Sequence, residues 1–168
     1  MSHPYVELAR DAIRAITAGQ RPPSVPLPPE LEHGRPVFVS LHGPGGALRG
    51  CVGHTDSDEP SMAREIVSMA VAAAREDTRF SPVRPEEVPT LDIEVSVLGP
   101  HEPVTDSSTL DPRRYGVMIS DGRRRAVLLP DLPGIDTVEQ QLSIARRKAG
   151  ISPDAPIRVH RFEVEVYR

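Results

Sequence analysis

Apolar residues recur along this chain in two rhythms, one helical and one strand-like, and their alternation lays out the elements. Between residues 4 and 18, Val6, Ala9, Ile13 and Ile16 fall on one stripe while Arg10, Asp11 and Arg14 lie off it, which predicts a helix with one buried face. Pro4 suits its first turn and Gly19 its end. Residues 60–76 predict a second helix with Met62, Ile66, Met69, Ala70 and Ala73 on its stripe. Asp58 or Glu59 is expected to cap it and Pro60 to occupy its first turn, and its run of alanines suits close approach to a sheet. A third helix is expected over residues 137–149. Asp136 is its candidate N-cap, Glu139 completes a capping box, and Arg146, Arg147 and Lys148 meet the negative end of the helix dipole before Gly150.

Period-two alternation marks the strands. From Pro36 to His42, Val37, Val39 and Leu41 share one face and Phe38, Ser40 and His42 the other. The turn Gly43-Pro44-Gly45-Gly46 and a short strand to Gly53 complete an antiparallel hairpin. Leu91, Ile93, Val95 and Val97 alternate with Asp92, Glu94 and Ser96 in the clearest strand of the chain. Residues 115–129 predict a second hairpin around a two-residue Asp121-Gly122 turn. Residues 157–166 predict a final strand whose phase changes: Ile157 and Val159 are apolar at odd positions, Phe162, Val164 and Val166 at even ones, so a bulge or bend is expected near His160-Arg161. Residues 77–90, with Pro82, Pro85 and Pro89, read as a loop. The order α, β, β, α, β, (β), β, β, α, β predicts an α+β fold, a mostly antiparallel sheet covered on one face by about three helices. Residues 19–35, with five prolines, read as a stiff connector within one domain spanning residues 1–168.

Composition narrows the class. A chain of 168 residues with 38% hydrophobic and 26% charged residues is the size of one globular domain. A net charge of -4 argues against a nucleic-acid binder held by a general positive field. One cysteine precludes an intrachain disulfide and fits a reducing compartment. Glu7 and Asp11 interrupt the N-terminal apolar residues, which argues against a signal peptide, and no apolar run approaches the roughly 18 residues of a membrane span. The expectation is a cytoplasmic protein with no membrane or nucleic-acid partner.

Leu48-Arg49-Gly50-Cys51-Val52-Gly53 resembles the signature hexapeptide of the AMMECR domain family. Val37-Phe38-Val39-Ser40-Leu41, Ala72-Ala73-Ala74 through Asp77-Thr78-Arg79-Phe80, Ile93-Glu94-Val95-Ser96-Val97-Leu98 and Arg147-Lys148-Ala149-Gly150-Ile151 resemble its other motifs in order. The similarity runs over roughly residues 5 to 167. It departs at Asp131, where the family often has Gln, at Ala145, where it has Cys, and in lacking a Trp before the last strand. The resemblance implies the family's fold but no settled activity. It also implies company with Memo-type and radical SAM proteins, which hints at small-molecule chemistry.

The candidate site gathers on that hexapeptide. Alternation puts Arg49 and Cys51 on one face of their strand, where a guanidinium favours the thiolate, and Gly50 and Gly53 leave room for a ligand or another backbone. The plain alternative for Cys51 is a small buried side chain. Glu94, on the polar face of its strand, is a candidate acid/base or a structural partner of an arginine. His54 falls on the opposite face from Cys51 unless the chain turns at Gly53. Arg79, beside Phe80, is a candidate anion ligand, and Arg123-Arg124-Arg125 is a candidate anion or partner patch that solvation explains equally well. Cys51, His54, His42 and Asp56 match no zinc spacing, so no metal and no cofactor is expected. The glycine loop leads into a strand and lacks lysine, which excludes a phosphate loop. Two readings follow. One is a cofactor-independent small-molecule enzyme using Cys51, Arg49 and Glu94 for an isomerisation, proton-transfer or acyl-type step. The other is a non-catalytic module that recognises a protein partner through the hexapeptide face.

Overall fold

The computed structural model describes residues 1–24, 26–56, 59 and 61–168. They form two compact units, Met1–Leu98 with Glu165–Arg168, and Gly99–Val164. The fold is α+β, as the alternating rhythms predict, but the strands divide into two four-stranded sheets where one was expected.

The first unit begins with α1 (Pro4–Thr17), capped by the His3 side chain and ended at Ala18, with Gly19 at positive φ just beyond. The hairpin follows as β1 (Val37–His42) and β2 (Leu48–Gly53), joined through Gly45 and Gly46, both at φ 80°. Then come α2 (Met62–Arg75) and β3 (Asp92–Leu98). The N-cap of α2 is Ser61; of the caps expected, Asp58 and also Pro60 lie outside the described residues. The stretch before β3 is not all loop, since Pro85–Thr90 winds into a 3-10 helix. The strand order is β2, β1, β3 and then the last strand, β8 (Val164–Tyr167), so β2 is an edge. Val37, Val39 and Leu41 pair with Val97, Val95 and Ile93, and this all-aliphatic face packs beneath α1 and α2. Each such side chain, fully buried, contributes on the order of 1.5–3 kcal/mol. Arg75 of α2 donates to the Ile16 carbonyl, which satisfies an end group of α1.

The second unit holds β4 (Glu102–Val104), β5 (Gly116–Ser120), β6 (Arg125–Leu128), α3 (Val138–Ala149) and β7 (Arg158–Phe162), in strand order β4, β7, β5, β6. Its core is small: Val117, Ile119, Ala126 and Leu128 of the sheet meet Ala145 of α3. The β5–β6 turn is longer than two residues. Asp121 N–H donates to the Arg124 carbonyl, and the Asp121 carboxylate accepts from the amides of Arg123 and Arg124, so four residues close the loop, with Gly122 at φ 97°. The N-cap of α3 is Thr137 rather than Asp136, because Gln140, not Glu139, reaches back to complete the capping box.

The expected final strand is two strands. β7 pairs with β5 in unbroken register through His160 and Arg161, and the break falls at Glu163, after which β8 (Val164–Tyr167) joins the sheet of β3. The phase change in the sequence is therefore a change of sheet. Both sheets use the same cross-strand device. Phe38 lies opposite Gly53 and Phe162 opposite Gly116, each ring occupying the space a Cβ would need.

One close approach governs the first unit. A Cβ at Gly50 would stand 2.3 Å from the Ala73 carbonyl oxygen of α2. Gly50→Ala is expected to lose roughly 2–3 kcal/mol of stability in urea unfolding. Gly43→Ala, whose Cβ would meet only the Ala47 carbonyl oxygen at an ordinary 3.9 Å and at ordinary φ, is expected to stay within about 0.5 kcal/mol of the parent. Equal midpoints for the two variants would contradict this packing.

Candidate functional site

The edge strand β2 presents its residues to two sides. Cys51 pairs with Ser40 of β1, and Ser40 pairs with Glu94 of β3, so Cys51, Ser40 and Glu94 form a row across one face of the sheet. Cys51 is half-buried, and its Sγ lies 3.2 Å from Ser40 Oγ. Two strand spacings separate Cys51 from Glu94, roughly 9–10 Å, so the carboxylate serves the sulfur only through something placed between them. Glu94 itself is ion-paired with Arg168 at 2.9 Å.

A second arginine, Arg79, is tied to the Cys51 backbone through Asp77 in the turn after α2. Asp77 makes that placement. Its Oδ2 accepts from the Cys51 backbone N–H at 2.9 Å and from Arg79 Nη2 at 2.7 Å, while its Oδ1 accepts from Arg79 Nε at 2.9 Å and the Arg79 amide at 3.2 Å. With only 7% of its side chain exposed, Asp77 is held ionised, its carboxyl driven well below the usual carboxylate range chiefly by the Arg79 guanidinium. The Arg79 pKa is raised, first by its bonds to Asp77 and in smaller part by negative charge on Cys51. The guanidinium also sits 5.4 Å from the Phe80 ring centre.

Arg49 was expected on the face of Cys51, but a β-bulge interrupts the alternation, with Leu41 opposite Gly50 and His42 opposite Leu48, and the Arg49 guanidinium is turned to the loop that follows α2. It grips Glu87 through both carboxylate oxygens at 2.9 and 3.1 Å and donates to the carbonyls of Ser81 and Pro82. Glu87 is lowered to about 2, mainly by Arg49 and then by the Arg84 amide.

His54 stands apart from Cys51. Its Nδ1 is 3.5 Å from Glu65 Oε1 of α2, a carboxylate only 1% exposed. Gly50 and Gly53 do not open a cavity beside Cys51, since Ala73 and Phe38 fill the space they leave. Arg123, Arg124 and Arg125 lie in the second unit, where Arg124 donates to the Gly150 carbonyl and Arg125 to Met118 Sδ. Among the described residues, no three His, Cys, Asp or Glu side chains stand close enough to hold a metal ion, and no helix is long and apolar enough to cross a membrane.

Sequence reasoning singled out Arg79 but not Asp77 or Ser40. Asp77 followed two residues later by arginine, just past a helix end, and a serine on the polar face of β1 opposite the cysteine strand were the available signals. The contact between them needs the tertiary placement of α2 beside β2.

The AMMECR1 family model matches residues 6–167. A protein of Thermotoga maritima is 46% identical over 99% of this chain and 98% of its own length, and one of Thermococcus gammatolerans is 38% identical over 96% and 87%. A Clostridium acetobutylicum protein is 38% identical over 96% of this chain, which spans only 35% of that relative. The crystal structure of an uncharacterized protein from Pyrococcus horikoshii is similar, with a TM-score of 0.87 and 33% identity, covering 96% of this chain and 88% of the other.

The Arg49–Glu87 pair gives a pH test. Its depressed carboxyl contributes stability that is present above the ordinary value of 4.5 and lost as pH falls toward about 2. Arg49→Met is expected to cost about 2 kcal/mol at neutral pH, because it removes the two-point partner of a mostly buried carboxylate and leaves it the Arg84 amide and a 3.6 Å approach of Arg84 Nε. The gap from the parent should narrow steadily as pH falls from 4.5. A gap that is constant with pH in urea titrations would show that packing, not charge, carries the effect.

Proposed function

The chain belongs to the AMMECR1 family, and from that premise we propose that it is a small-molecule enzyme, needing no organic cofactor, whose Cys51 thiolate moves a proton on an anionic substrate. The observation that carries this reading is the bridge made by Asp77. One mostly buried carboxylate accepts from both the Cys51 backbone N–H and the Arg79 guanidinium, which supports a reading in which that cation serves the cysteine's stretch of strand. A nearby guanidinium favours a thiolate over a thiol, and the reading requires that this outweigh the Asp77 carboxylate on the Cys51 amide. Ser40 supplies a hydroxyl 3.2 Å from the sulfur, positioned to donate to it once it is ionised.

In this reading the thiolate takes a proton from a carbon next to a substrate carbonyl or carboxylate. A C–H bond breaks, an S–H bond forms, and the electron pair moves onto the substrate oxygen. With a substrate whose C=C lies β,γ to that carbonyl, the pair flows back from oxygen as the S–H proton is returned to the γ carbon, which shifts the double bond and restores the thiolate. Arg79 binds Asp77 through Nε and Nη2, and Nη1 takes no part in those bonds, so that edge is the one offered to the substrate anion. Glu94, farther along the row, meets the far end of a substrate that spans the strands, and it acts as partner acid or base only once Arg168 yields. Arg49 contributes by holding the loop of residues 81–87 rather than by touching the sulfur.

Alkylation kinetics test this. Cys51 of the folded protein is expected to react with iodoacetamide faster than free cysteine at pH 7. Arg79→Gln is expected to slow that reaction roughly tenfold, the effect of about one pKa unit. An inert Cys51, or a rate indifferent to Arg79→Gln, defeats the catalytic reading. Retained partner binding in Cys51→Ser would then favour a recognition module.

A further inference from the structure

His3 stands immediately before a proline, and a residue in that position is held to extended backbone. Its φ of -68° and ψ of 144° are those of a helix N-cap, and Pro4 follows as the first helical residue. The common N-cap acceptor is a side-chain oxygen of Ser, Thr, Asp or Asn. Here it is an imidazole nitrogen, since His3 Nδ1 accepts from the Tyr5 amide at 3.2 Å. A hydroxyl or amide oxygen keeps its lone pairs at any ordinary pH, whereas an imidazole titrates near neutrality.

The same ring packs on two others. Its centre lies 4.7 Å from that of Tyr5 and 4.2 Å from that of Tyr167 in β8, and the two tyrosine rings stand 5.0 Å apart. Tyr5 is buried and anchored through its hydroxyl, which donates to the Leu31 carbonyl at 3.0 Å. The half-buried imidazole therefore ties the start of the first helix to the last strand. Its cap needs the neutral ring. A protonated Nδ1 cannot accept the amide and must turn from it, and a cation at the N-terminus of α1 opposes the helix dipole. Burial acts in the same direction and holds the imidazole below its ordinary value of 6.5.

The charged groups about these rings do not reverse that preference. Glu7 lies one turn along α1, and Glu32 and Arg35 of the connector act on Tyr5 with opposite signs. Glu165 of β8 is already engaged, with Oε2 taking the Tyr167 hydroxyl at 2.8 Å and Oε1 taking Arg35 Nη1 at 3.2 Å. Both tyrosine hydroxyls are pushed up, chiefly by burial, and stay neutral throughout.

We propose that His3 is a pH-sensitive latch between α1 and β8, closed while its imidazole is neutral and opened by protonation. When Nδ1 takes a proton, the ring leaves the Tyr5 amide, and the first turn of α1 and the Tyr167 side chain lose their common contact. The contribution to stability is complete above pH 6.5 and is lost as pH falls below that value. The latch governs the hold on β8, whose neighbouring Arg168 pairs with Glu94 at 2.9 Å. It goes beyond the reading of Cys51 and does not rest on it.

Proton NMR of the whole chain at pH 7.5 and 5.0 tests this. Ring-to-ring Overhauser contacts between His3 and Tyr167 are expected at pH 7.5 and not at pH 5.0. The protection factor of the Tyr5 amide should fall roughly fivefold between them, the loss of one cap. His3→Asn, whose side-chain oxygen takes the same amide without titrating, should keep that protection at both pH values, and His3→Ala should lack it at both. Ring contacts that persist at pH 5.0, a His3 midpoint at or above 6.5, or a Tyr5 amide that answers pH in His3→Asn as in the parent would each overturn the latch. None of these readouts involves Cys51, so failure here is distinct from failure of the thiolate reading.

Discussion

The first unit is organised by the backbone contact between Gly50 and the last turns of α2. With no Cβ at that position, an edge strand comes down onto a helix carbonyl at a distance that a side chain would forbid. The consequences run outward from there. The end of α2 is fixed beside β2, so the turn that follows it meets the strand's unpaired edge. The Cys51 amide, which points away from β1, would otherwise be an open donor of the kind that recruits foreign strands. Asp77 takes it, and in taking it sets the place of Arg79. A glycine that fits as a packing requirement is thereby the first cause of the electrostatics around the sulfur.

Two arginines bear on the Cys51 strand, one from within it and one through Asp77, and their surroundings separate their roles. Arg49 spends its donors on one carboxylate and two carbonyls of a single loop, an arrangement that pins residues 81–87 and leaves little for a ligand. Arg79 is more than half exposed and leans on one carboxylate. Edge protection accounts for Asp77 and loop anchoring accounts for Arg49. Neither role uses the exposed edge of the Arg79 guanidinium, and that edge is what the proposed chemistry draws on.

What the sequence disclosed followed from range. The helices, the hairpin and β3 were legible because a stripe or an alternation is written over neighbouring residues, and the Leu48–Gly53 motif carried the family fold with it. Small misplacements arose where adjacent residues compete for one role: Thr137 and Asp136 can both cap α3, and the reach of Gln140 decides between them. The phase change after Val159 was visible, but a bulge and a switch of sheets leave the same trace. Only the pairing of β8 beside β3 separates them. The cation facing Cys51 was assigned to Arg49 from strand alternation, which fixes a face but not where a long side chain goes. Asp77 and Arg79 stand some 26 residues from Cys51 along the chain, beyond any local rule.

Alternation along β2 has a last consequence. In six residues it sends Cys51 to one side and Val52 to the other, and His54 just past its end joins Val52 against α2. A strand buried on both faces would be apolar throughout; this one is not, and its polar positions are sorted by side. The two faces of one edge strand therefore meet different surroundings, a carboxylate-bound guanidinium on one and the aliphatic side of α2 on the other.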